Sequence, residues 1–183
     1  MIRSTLCKLA AVGAAVFMFA HAASAAEVDG CTHFTWNVSR ELAVMKQTPQ
    51  PVTAAVKPGA DVPELKTDKL YELALAGQST VAFATKPGKP TLDDGAQAGL
   101  VRFHLDKAGR YRVSITSGHW VDVVDGAQFV KSRDFQGARG CERPHKIVEY
   151  ELPANRDLIL QFSGSPDAKV IISITAAPAA AAG

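Results

Sequence analysis

Three short clusters hold side chains able to bind a metal or a ligand. Cys31-Thr32-His33 lies near the start of the chain and Cys141-Glu142-Arg143-Pro144-His145 in its last third. Thiolates and neutral imidazoles together make a closed zinc or copper site. Two imidazoles with one carboxylate, here His33, His145 and Glu142, are the set an open iron or zinc centre uses while leaving positions for substrate. The third cluster, Ser117-Gly118-His119-Trp120-Val121-Asp122, offers an aromatic plate, an imidazole and a carboxylate, and Arg133, Asp134 and Arg139 follow it. A binding site uses such residues by stacking a ring on the indole and hydrogen-bonding the ligand's polar groups. His119, Trp120, Asp122 and Arg133 are therefore the candidate ligand-binding residues; the alternative is that Trp120 caps the core and His119 lies in solvent. The chain contains no Gly-x-Ser-x-Gly elbow, glycine-rich nucleotide loop or His-Glu-x-x-His motif, and no catalytic residue is assigned.

What the cysteines do depends on the compartment. Arg3 and Lys8 precede an apolar run of twelve residues, Leu9 to Ala20, and Ala23-Ser24-Ala25 supplies small residues for cleavage. This predicts a signal peptide over 1–26 and a periplasmic or secreted protein. The run is too short to cross a hydrocarbon layer of about 30 Å, so no membrane insertion of the mature chain is expected. Val28-Asp29-Gly30 before Cys31 is not a lipobox. Cleavage removes Cys7 and leaves Cys31 and Cys141, a pair expected to form one disulfide in an oxidising compartment. Closing a loop of about 110 residues contributes about 4 to 5 kcal/mol on the chain-entropy model. The disulfide would hold His33, Glu142 and His145 near one another, either as metal ligands or simply as polar flanking residues with Arg143 pairing Glu142. Cleavage also leaves 18 basic against 18 acidic residues, a balance that provides no footprint for nucleic acid or acidic membranes.

The elements that must position these residues are mostly strands. Within an N-terminal segment, 27–68, Val38, Leu42 and Met45 predict a short helix begun near Asn37. Five glycines and prolines between Pro49 and Pro63 predict an extended connection or edge strand. A β domain is expected over 69–176. It would hold a hairpin of Leu70–Ala76 with Thr80–Thr85 about a Gly77-Gln78-Ser79 turn. A strand with Val101, Phe103 and Leu105 on one face would be followed by a returning strand with Tyr111, Val113 and Ile115. A hairpin is expected about Asp125-Gly126, the residue pair suited to a type I′ turn, and Lys146–Leu152 would pair with Leu158–Phe162. Lys169–Thr175 would close the domain, and 177–183 reads as a disordered Ala/Pro tail. Short strands, polar turns and little helix predict an all-β fold, a β-sandwich or jelly roll with a short N-terminal helix.

Phe-His-Leu-Asp-Lys-Ala-Gly-Arg-Tyr-Arg-Val-Ser-Ile from Phe103, with the Val-Asp-Val-Val-Asp-Gly hairpin and Leu-Ile-Leu-Gln-Phe-Ser-Gly-Ser from Leu158, resembles the β-sandwich modules attached to secreted bacterial proteases and glycan-active enzymes. The resemblance covers about half of the mature chain and implies a jelly-roll-like fold with accessory or binding behaviour. With its Cys-Thr-His-Phe-Thr-Trp and Gly-Cys-Glu-Arg-Pro-His segments, the chain is also similar to short exported proteins of alphaproteobacteria, some of which bear the name homogentisate 1,2-dioxygenase. That resemblance implies an iron-dependent oxygenase. The chain departs from the dioxygenase family in its shortness and in having no closely spaced His-x-His pair.

Two function classes follow. One is a non-catalytic envelope module without a cofactor, whose partner is a small molecule, a glycan or an envelope protein. The other is a metal-dependent enzyme using iron or zinc on His33, Glu142 and His145. A structural envelope protein with Trp120 packed away is a third reading.

Overall fold

The computed structural model describes residues 30–89 and 95–179. The predicted signal peptide lies outside them, as do residues 180–183 of the predicted tail. The described residues form two sheets packed face to face, an all-β sandwich with one short α-helix. The elements in chain order are α1 (Ser39–Met45), β1 (Gln50–Thr53), β2 (Glu64–Leu65), β3 (Leu70–Ala74), β4 (Ala76–Gly77), β5 (Gln97–Leu105), β6 (Gly109–Ile115), β7 (Trp120–Asp125), β8 (Gln128–Val130), β9 (Ser132–Gly137), β10 (Lys146–Leu152), β11 (Arg156–Ser165) and β12 (Lys169–Ala176). One sheet has the order β1-β3-β12-β6-β10-β9. The other has β2-β5-β11-β7-β8, with β4 also on β5.

Strand alternation places every second side chain between the sheets. Val101, Phe103 and Leu105 of β5, Val121 and Val123 of β7, and Leu158, Leu160 and Phe162 of β11 face Val113 and Ile115 of β6, Tyr150 and Leu152 of β10, and Ile172 and Ile174 of β12, all buried. Each large side chain taken from water contributes about 1.5 to 3 kcal/mol, so this layer is the main source of stability. Phe162→Ala would cost about 3 to 5 kcal/mol by leaving a cavity.

Several expected pairings do not form. β5 and β6 belong to opposite sheets, as do β10 and β11, so the turns after Leu105 and Leu152 carry the chain across the core instead of closing hairpins. Residues 81–89 form no strand, and β3 pairs with β1 in parallel and with β12, which replaces the hairpin expected after Leu70. The β7–β8 hairpin is real. Its two turn residues are Gly126 and Ala127, with positive φ at Gly126 alone, the pattern of a II′ rather than an I′ turn. β1 and β2, from the segment expected to precede the domain, are edge strands, one in each sheet. At the other end, Ala177 and Pro178 are held by Arg110: Ala177 N donates to the Arg110 carbonyl and Arg110 to the Pro178 carbonyl.

α1 covers the outer face of the first sheet. Asn37 Oδ1 accepts from Ser39 N, an alternative to a cap on the helix proper, and Val44 and Met45 pack on Leu70 and Ile171. Leu42, expected on the buried face, is only half-buried, while Glu41 is fully buried. There it accepts from Arg112 (3.3 Å) and Thr175 (3.0 Å). Arg112 also donates to Glu149 (2.9 Å) and to the Asn37 carbonyl, and it stacks under the Trp36 ring. Cys31 and Cys141 form the disulfide, which ties this segment to the loop before β10. The two strands of chain cross so closely beside it that a Cβ on Gly30 would lie 2.3 Å from the Gly140 carbonyl carbon.

Candidate functional site

The sandwich is open along one side. β8 pairs with the Val123–Asp125 part of β7, and among the described residues no strand pairs with the outer edge of Trp120 and Val121. On the facing sheet the edge strand β9 pairs with β10, with Phe135 beside Val148. Val148 belongs to the core face, so Phe135 sits on that face and is 66% exposed. The result is a pocket of about 390 Å³ whose lining includes the apolar Trp120, Val121, Phe135 and Val148 and the cationic Lys89 and Lys146.

Trp120 is 37% exposed and is fixed from behind. Its Nε1 donates to Asp122 Oδ1 at 2.7 Å, and Asp122 Oδ2 accepts from Gly88 N (3.0 Å) and from Gln161 Nε2 (3.3 Å). Gly88 suits that contact, since a Cβ there would lie 2.9 Å from Asp122 Oδ1 and displace the carboxylate. Asp122 is therefore a buried anchor for the indole and for the 85–88 segment. Lys89 Nζ lies 5.7 Å from the Trp120 ring centroid, within cation–π range.

His119 is fully buried and meets Phe162 edge-on, with 6.3 Å between ring centroids. Its Nδ1 is 2.6 Å from Ser117 Oγ, and Nε2 makes no hydrogen bond of good geometry. Burial pushes its pKa down to about 4. Lys146 pushes in the same direction, against Asp167 and the Gln97 carbonyl, so the ring is neutral at pH 7. The imidazole thus belongs to the packed interior and not to the pocket wall.

Of the four residues expected to bind ligand, Trp120 alone lines this pocket. Arg133 lies on β9 beside Glu151 (3.5 Å) and lines a neighbouring depression with Trp36 and Glu149. Three pocket residues, Lys89, Phe135 and Lys146, are absent from the candidates named from the sequence. Phe135 falls in a stretch taken for a loop because Ser132–Gly137 is an exposed edge strand without apolar alternation. Lys146 did leave a signal, since it shares the core-facing register of Val148 and Tyr150.

The metal constellation does not assemble. His33, Glu142 and His145 are each exposed, and among the described residues no three His, Cys, Asp or Glu side chains come together as a ligand set. Cys31 and Cys141 are consumed by their disulfide, which removes the closed thiolate site. His104 pairs at the surface with Asp157 (2.8 Å). Among the described residues no helix is long and apolar enough to cross a membrane. Compared with known families and with characterised proteins, the chain matches no family model and no characterised protein at a significant level, so the reading of this pocket rests on its own geometry.

Proposed function

We propose that this chain is an exported, non-catalytic binding module of the cell envelope that takes a small ligand between Trp120 and Phe135. One observation carries the reading: two large aromatic residues, 37% and 66% exposed, line one pocket together with the apolar Val121 and Val148. Exposed aromatics cost solvation unless something covers them, and an indole anchored through its N–H presents a rigid face for stacking. A sugar ring or another flat body fits that face. The leader-like residues 1–26 and the Cys31–Cys141 disulfide support an oxidising compartment.

Titration of the purified protein with phenylnaphthylamine, a neutral flat dye that brightens in apolar surroundings, tests this. Saturable binding is expected, weakened roughly tenfold by Trp120→Ala and by Phe135→Ala at nearly unchanged thermal stability. Equal affinity in wild type and both variants would remove the pocket from consideration.

A further inference from the structure

Resting on that binding reading, we infer that the pocket's ligand is an anion with a flat body, its acidic group held by Lys89 and Lys146 while the body lies against Trp120 and Phe135. Both lysines line the pocket, and among the described residues neither forms an ion pair. Lys146 is half-buried, and its Nζ donates to the His119 carbonyl at 2.5 Å, a neutral acceptor that leaves its charge uncompensated.

Among the described residues the nearby carboxylates are otherwise engaged. Asp122 is committed to Trp120, Gly88 and Gln161, and Asp167 accepts from Ser165 Oγ (2.9 Å). Burial lowers the Lys146 pKa, and the charge of Lys89 lowers it further, so the two ammonium groups feel each other. Two like charges kept together beside apolar walls are unfavourable in the empty pocket. An anion between them removes the repulsion and gains charge-assisted hydrogen bonds. The acidic group can come from an aromatic acid or from an acidic sugar stacked on the indole.

The test compares phenylnaphthylamine with anilinonaphthalene sulfonate, the same skeleton bearing one sulfonate. The anion should bind at least about tenfold tighter at low salt, an advantage that shrinks as salt screens the lysines. Lys89→Met and Lys146→Met should each reduce it severalfold, and Lys146→Arg, which keeps the charge, should retain it. Equal affinity for the two dyes in wild type, or an advantage untouched by both Met variants, overturns the inference while leaving the pocket itself standing. If neither dye saturates, the binding reading fails as well. Displacement of the sulfonate by naphthoate assigns an aromatic acid and displacement by trigalacturonate an acidic sugar; displacement by neither overturns the anion assignment.

Discussion

The ammonium of Lys146 donates to the backbone carbonyl of His119 at 2.5 Å, joining a cation of the open pocket to an imidazole sealed behind it. The pair shares one electrostatic environment: Lys146 helps to keep His119 neutral, and burial weakens the hold of both on their protons.

The first prediction concerns acid stability. The His119 pKa falls from 6.5 in the unfolded chain to about 4 in the folded one, so the unfolded state binds the proton first. Its contribution is complete above pH 6.5 and is lost as pH falls from there towards 4, amounting to about 3 kcal/mol. Urea unfolding of wild type and His119→Gln at pH 7 and pH 4.5 checks this. The variant should show a smaller loss between the two pH values.

The second concerns the disulfide. Cys31→Ser with Cys141→Ser releases the N-terminal segment from the loop before β10 and should lower stability by about 2 to 5 kcal/mol. Reduction of the wild-type protein should move its denaturation midpoint to that of the double variant.

The third concerns the buried ions under α1. Arg112→Met leaves Glu41 buried without a cation and Glu149 with Arg110 alone (3.5 Å), at a cost of about 3 to 5 kcal/mol. Adding Glu41→Gln to Arg112→Met should recover part of that loss. Denaturation curves of the two variants measure the difference.

The fourth concerns the support of Trp120. Gly88→Ala drives a methyl to 2.9 Å from Asp122 Oδ1, so the carboxylate that anchors the indole must shift. The expected result is a shifted tryptophan emission and a severalfold loss of dye affinity, with stability lowered by about 1 kcal/mol at most.

The sequence carried the inside and outside of the strands better than their partners. Val101, Phe103 and Leu105 alternate in the same way whether the following turn closes a hairpin or crosses to the other sheet, and the crossing is what the chain does. Val38 and Met45 mark the buried side of α1, but Glu41 lies there as well, neutralised by an Arg112 distant in sequence that no local pattern could supply. The disulfide followed from cysteine parity. In the pocket, Trp120 was legible as a rigid aromatic at a strand end. His119 and Asp122 carry the residue types of ligand contacts, and their burial is not legible locally because the segments that bury them, around Gln97, Gly88 and Gln161, come from elsewhere in the chain.

Strand order also governs when this fold can exist. β11 lies between β5 and β7, and β12 between β3 and β6, so the last two strands are the keystones of the two sheets. A nascent chain that has not yet emitted Arg156–Ala176 has strands that cannot meet: β3 stays apart from β6, and β5 from β7. The Trp120 pocket needs β7 fixed by β11, so a chain truncated before Arg156 should not form it.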